Sequence, residues 1–170
     1  GWINASDLST TDNRIEAVQK VLNEKYNNQE RISVYVKQLD TDRVAAINDE
    51  KSMYAASVAK LGVLYYAQER LSQKKLSLSD EYQYTSAVNG FPGAYDPDGS
   101  GKISKMPDDK NYSLENLLKA VAQNSDNVAT NILGYYVTNQ YDKAFQKSVD
   151  KAAATSWNMD KKELTARAAG

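Results

Sequence analysis

Tyr54-Ala55-Ala56-Ser57-Val58-Ala59-Lys60 is the stretch whose reading decides the fold. Small residues lead into a serine, a lysine follows three positions on, and the apolar positions Val58, Leu61, Leu64 and Tyr65 predict a buried helix from Ser57 to about Leu71. A hydroxyl opening such a helix lies near the positive end of its dipole, which favours an alkoxide or a negative intermediate. A lysine one turn on shares its face and takes the proton if burial and neighbouring charge lower its pKa. The bland reading of the same residues is a capping serine beside a surface lysine.

Spacing alone decides little. Fifteen serines and sixteen lysines give about 1.4 such pairs by chance, and three occur: Ser57/Lys60, Ser72/Lys75 and Ser148/Lys151. Ser72 lies in a Lys-rich polar stretch and Ser148 on a polar helix face, so both read as solvated, whereas Ser57 opens an apolar helix. Ser125-Asp126-Asn127 adds a second signal, with a chance expectation of about 0.1, at a break between two helical patterns. Side chains there project into a cleft: a hydroxyl for relaying a proton and a carboxamide for holding a substrate amide. An Asx-type helix cap is the structural alternative.

Composition narrows the chemistry. The chain has no cysteine and no histidine, which removes thiol catalysis, most zinc chemistry and every mechanism with an imidazole base. No cofactor and no metal is expected. A net charge of -1 with 25% charged residues points to neither nucleic acid nor an anionic membrane. No apolar run approaches the roughly 18 to 20 residues of a membrane span, so a soluble protein is expected. Gly1-Trp2-Ile3-Asn4 has neither a basic leader nor an apolar core, so any signal peptide is expected to have been removed or never present.

Outward from Ser57, residues 1 to 12 read as a polar, frayed lead-in. Ile15, Val18, Val21, Leu22 and Tyr26 predict an amphipathic helix over 12 to 27, opened near Asn13. Ile32, Val34 and Val36 alternate with Ser33, Tyr35 and Lys37, which with the turn Asp40-Thr41-Asp42 predicts a hairpin over 31 to 48. Such a hairpin alone is only marginally stable and needs more sheet. Residues 72 to 112, punctuated by Gly and Pro, read mostly as a long functional loop. Helices follow from Ser113 to Gln123, through Ala129, Ile132, Leu133 and Tyr136, over 140 to 155, and from Thr165 onward. The organisation expected is 1–50, a helix and hairpin with an incomplete sheet, and 51–170, a helical domain. Asp96-Pro97-Asp98-Gly99-Ser100-Gly101-Lys102-Ile103 has the form of the first eight positions of an EF-hand loop, but Pro107 stands at position twelve and no helix pair flanks it. Of the twelve tyrosines, Tyr84 and Tyr95 are candidates for the border of a cleft.

Ser57-Val58-Ala59-Lys60 together with Ser125-Asp126-Asn127-Val128-Ala129-Thr130-Asn131-Ile132-Leu133 resembles the class A β-lactamase and penicillin-binding serine hydrolase superfamily. The helix–hairpin–helix order, the Gly99-Ser100-Gly101 loop and Leu164-Thr165-Ala166-Arg167 extend the resemblance over nearly the whole chain. It implies an α+β, β-lactamase-like fold, mostly helical here, and a serine hydrolase or acyltransferase. Ser57 would be the acyl-accepting nucleophile, with its backbone N–H as half of an oxyanion hole. Lys60 would be its base, Ser125 the proton shuttle and Asn127 the substrate-binding amide, with Asp126 structural. The implied substrates are β-lactams or D-Ala-D-Ala-type peptides of peptidoglycan, and the implied location is extracellular, cell-surface or periplasmic.

Two departures from the family pattern matter. No Lys-Thr-Gly triplet occurs, so the second oxyanion donor and much of the family's sheet are missing from this sequence. The chain reads as the first two-thirds of a family member, cut, clipped or completed by another chain, and an exposed sheet edge predicts self-association. The region expected to carry a deacylating glutamate is Thr155–Glu163, where Asn158 follows Trp157, and Asp160 and Glu163 are poor substitutes. Slow deacylation follows, closer to a penicillin-binding protein or peptidase than to an efficient β-lactamase. The competing readings are a non-catalytic cell-envelope module that binds peptidoglycan or a protein partner, and a truncated fragment inactive on its own, since little or no turnover is expected without the Lys-Thr-Gly strand.

Overall fold

The computed structural model describes residues 12–170. The polar lead-in and the leader reading for the first residues fall, up to position 11, outside the described residues. The chain forms two compact units: one of residues up to Lys51 together with Thr165–Ala168 and Gly170, the other of Ser52–Leu164 with Ala169.

In the first unit, helix α1 (Arg14–Tyr26) lies on the antiparallel pair β1 (Val34–Gln38) and β2 (Arg43–Ile47). Ile15 and Leu22, seven residues apart on one face of α1, bury against Ala45, with Tyr26 and Val34 packed around them. The helix start is held by Asp12, whose carboxylate accepts from Arg14 N at 3.1 Å, while Asn13 makes no side-chain cap. The Gln19 amide pairs with the outward backbone of Ala46, donating at 3.0 Å and accepting at 2.8 Å, and so occupies the free edge of β2 at that residue. The sequence pattern places the last helical turn, α6 (Ala166–Ala169), in the helical domain. Most of it belongs instead with this first unit, because Arg167 ion-pairs with Asp49 at 2.6 Å and lies over the Tyr35 ring.

The second unit carries two short antiparallel pairs, β3 (Met53–Tyr54) with β6 (Glu163–Leu164) and β4 (Glu81–Gln83) with β5 (Asn111–Ser113). The latter pair lies in the stretch read mostly as loop; three-residue strands are too short for an alternating pattern to show. Its helices are α2 (Lys60–Ser72), α3 (Leu114–Asn124), α4 (Asn127–Tyr136) and α5 (Lys143–Ala153). Leu117, Val121, Val63, Ala67, Phe145 and Val149 supply their buried faces. Helix α4 is buried all round from Asn127 to Gly134, unlike a surface helix with one apolar stripe. Its buried polar residues are therefore bonded: Thr130 Oγ1 donates to Asp126 O at 2.7 Å, and Asn131 clamps both backbone groups of Tyr95 at 2.7 and 2.8 Å.

Candidate active site

Ser57 does not open an α-helix, as the sequence spacing predicts, but lies in a 3-10 turn, Ala56–Ala59, that feeds α2. The cause is local: Ala56 takes a left-handed φ of 46°, which tightens the chain before α2 begins at Lys60. In a 3-10 turn residues three apart eclipse, so Ser57 and Lys60 still share one edge. Tyr95 Oη donates to Ala56 O at 3.2 Å and holds the strained residue from outside the turn. The Ser57 side chain is exposed and makes no side-chain hydrogen bond among the described residues.

Lys60 is only 3% exposed. Its Nζ donates to Ser125 O at 2.6 Å, to Ser125 Oγ at 3.1 Å and to Asn127 Oδ1 at 2.6 Å. Three of the four sequence-predicted site residues therefore meet at one nitrogen, and Ser57 stands beside them on the cleft wall. Burial lowers the Lys60 pKa to about 8; the Asp126 carboxylate opposes the shift and the Lys162 charge adds to it.

The Ser-Asp-Asn break is built from strain and capping together. Ser125 ends α3 with a left-handed φ of 49°. Asp126 then caps α4, its Oδ1 accepting from Ala129 N at 2.9 Å, while Oδ2 accepts from Lys102 N at 2.6 Å and Ile103 N at 2.9 Å. Asn127 Nδ2 donates to Asp96 O at 2.7 Å, which turns its Oδ1 toward Lys60. The loop with an EF-hand-like spacing thus spends its Asp96 carbonyl and its backbone N–H groups on Asp126 and Asn127. Among the described residues no three acidic, histidine or cysteine side chains gather around a point that would hold a metal ion.

Ser57, Asn127, Tyr54, Tyr95, Gly99, Ser100, Asp160 and Lys162 are among the residues lining a cleft of about 470 Å³. Tyr84 is not at its border: it is fully buried, with its hydroxyl on Lys105 O at 3.2 Å. Of the poor candidates for a deacylating group, Asp160 lines both this cleft and a second cavity of about 230 Å³, and Glu163 sits exposed on β6 opposite Tyr54; Asn158, where the glutamate is expected, lines only the second cavity. Sequence reasoning missed Lys162. Its Nζ lies 4.3 Å from the Tyr95 ring centroid and donates to Gly93 O at 2.9 Å, and burial lowers its pKa. No local pattern marks it, since a lysine in a Lys-Lys pair reads as solvated. Of the decoy serines, Ser72 is exposed and bonds Glu69 O, as expected of a helix end, whereas Ser148 is half-buried with its hydroxyl on the Glu69 carboxylate at 2.7 Å.

A 3-10 turn bearing Ser57 thus leads into Lys60 at the start of α2, the Ser-Asp-Asn break meets Lys60, and Ser57 and Asn127 line one cleft. The chain belongs to the Beta-lactamase enzyme family, whose sequence profile matches residues 13–170. Solved structures agree on the β-lactamase-like α+β fold. PBP-A superposes with a TM-score of 0.70 at 15% identity, over 89% of this chain and 58% of its own. A β-lactamase from Chitinophaga pinensis gives 0.63 at 18% identity, over 90% and 59%. Penicillin binding protein 5 from Haemophilus influenzae gives 0.63 at 19% identity, over 81% and 41%. A mutant of PBP-A is described as an acyl-enzyme complex with penicillin G. The chain thus spans 58% and 59% of the length of the first two structures and 41% of the third. No curated protein sequence matches it closely enough to show a relationship.

Proposed function

We propose that this protein is a serine acyltransferase or hydrolase that forms an acyl-enzyme at Ser57 with β-lactams or D-Ala-D-Ala-type peptides and releases it slowly. The observation that carries the reading is the buried Lys60 Nζ in contact with both Ser125 and Asn127, beside a cleft wall that presents the free Ser57 hydroxyl. The family membership and the acyl-enzyme described for the PBP-A mutant support the same chemistry.

In this reading neutral Lys60 takes the proton of Ser57 Oγ as the Oγ–C bond to the substrate carbonyl forms. The negative oxygen is met by the Ser57 backbone N–H. Collapse breaks the C–N bond, Ser125 Oγ passes its proton to the leaving nitrogen, and protonated Lys60 restores the proton to Ser125. Asn127 holds the substrate amide, and Asp126, engaged by three backbone N–H groups, shapes the site without touching substrate. Deacylation is slow because Asn158 stands where a water-activating glutamate is expected, and a carboxamide cannot take a proton from water. D-Ala-D-Ala-type peptides belong to the cell envelope, so in this reading the protein acts outside the cytoplasm; among the described residues no helix is long and apolar enough to cross a membrane.

Incubation with a labelled penicillin followed by peptide mapping tests the reading. A long-lived adduct on the peptide bearing Ser57, absent from Ser57→Ala, is the expected result. No adduct, or equal labelling in Ser57→Ala, would leave the fold as a non-catalytic binding module.

A further inference from the structure

Buried Lys60 and half-buried Lys162, the latter lining the cleft, lie around one aromatic ring, and only Lys60 has a part in the acyl-transfer reading. Lys60 Nζ lies 4.6 Å and Lys162 Nζ 4.3 Å from the Tyr95 ring centroid. The two ammonium groups are therefore separated by no more than the sum of those two distances, within about one Debye length, beside a buried ring. The ring attracts each cation, but they repel one another. We propose that Lys162 is a positioning residue for Lys60: held across Tyr95, its charge biases Lys60 toward the neutral amine that accepts a proton.

The hydrogen bonding gives the two lysines different freedoms. Lys162 donates to the Gly93 carbonyl, an acceptor that suits a charged ammonium group. Lys60 faces two oxygens that only accept, Ser125 O and Asn127 Oδ1, and one hydroxyl, Ser125 Oγ, that also donates. A neutral amine satisfies this set completely, with two N–H groups to the acceptors and its lone pair to the hydroxyl. The charged groups around the pair divide by element. Asp126, at the start of α4, favours charged Lys60, but its oxygens are occupied by the backbone N–H groups of Lys102, Ile103 and Ala129. Asp160 favours charged Lys162, and Asp96 and Lys161 line the same cleft. Tyr54 faces Tyr95. On α2 itself Glu69 is turned to Ser148 and Arg70 to Tyr66, more than two turns from Lys60.

The functional meaning of this coupling rests on the acyl-transfer reading, but the coupling is measurable without it. The full chain, labelled with ¹³C at lysine Cε, is titrated from about pH 6 to about pH 11, with the Lys60 signal assigned by its loss in Lys60→Arg. Lys162→Gln is expected to raise the Lys60 midpoint by roughly half a unit to one unit, and Lys162→Arg to return it to the starting value. Lys162→Met, which keeps the stem over Tyr95 and drops the charge, is measured alongside and is expected to follow Lys162→Gln. A Lys60 midpoint unmoved in either neutral variant with a dispersed amide spectrum, or moved equally by Lys162→Arg, overturns the proposal. Absence of a penicillin adduct at Ser57 leaves this titration unaffected, so the two failures are separate results.

Discussion

Asp126 and Lys60 are buried ionisable side chains of the second unit whose burdens differ in kind. Asp126 is fully buried with three backbone N–H partners, so its removal strands donors that water cannot reach. Asp126→Ala is expected to lower stability by about 3–5 kcal/mol, read as a denaturant midpoint, and Asp126→Asn by less because it keeps one acceptor oxygen. Lys60 carries the opposite sign. Its folded pKa of about 8 lies below the ordinary 10.5, so the unfolded chain binds more protons at this site between those values. Its burial therefore opposes folding most below about pH 8, and the penalty fades as pH rises toward 10.5. Unfolding free energies of wild type minus Lys60→Met should rise with pH through that window; a flat difference would contradict the shift. The rate of Ser57 labelling should rise with pH and level off above about 8, as Lys60 becomes neutral. Ser57, Lys60, Ser125 and Asn127 were legible in the sequence because each belongs to a short contiguous motif. Tyr95 and Lys162 were not marked as partners of Lys60, because their role comes from a ring and two cations far apart in the chain.

At the scale of elements, the loop Asp96–Ile103 is the part whose meaning the structure changed most. Its oxygens and glycines have calcium-loop spacing, yet the glycines exist to let backbone approach the Ser-Asp-Asn break. A Cβ on Gly99 would lie 2.3 Å from Asn127 Nδ2, and one on Gly101, whose φ is +136°, would lie 2.4 Å from the Asp126 carboxylate. Gly101→Ala is expected to cost about 1–3 kcal/mol and to slow Ser57 labelling by displacing Asp126 and its neighbour Asn127. Lys102→Ala, whose exposed side chain takes no part while its N–H does, should stay within about 0.5 kcal/mol of wild type. Thermal melts and labelling rates on both variants separate the docking of the loop from its charge. The helices were readable from their 3.6-residue spacing, but the buried face of α2 and its preceding turn was not: Val58, Leu61 and Tyr65 are exposed, and Val63, Tyr66 and Ala67 are buried instead. The three-residue strands β4 and β5 were not, because so short a segment has no period and its pairing is decided by a partner about thirty residues away.

Across the whole molecule, sheet is scarce: three separate antiparallel pairs are formed among the described residues, and none extends beyond two strands. Gln19 covers β2 at Ala46, but β1 has β2 as its one strand partner there. Strand-edge pairing between copies is the expected consequence, seen as an average mass in light scattering that grows with protein concentration and falls when Val36→Lys places a charge on β1. A mass that stays monomeric at every concentration would count against it. By itself the sequence determined the local and periodic features: which segments are helical, where the hairpin turns, and which serine, lysine and asparagine stand as candidates for the site, since these depend on neighbours a few residues apart. Only the tertiary structure decided that Lys60 reaches Ser125 and Asn127, that Asp160 and Lys162 share the cleft with Ser57, and that the calcium-like loop serves Asp126. Those outcomes depend on burial and on distances between segments tens of residues apart, and a buried lysine becomes a base only when the surrounding fold removes its water and places another charge beside it.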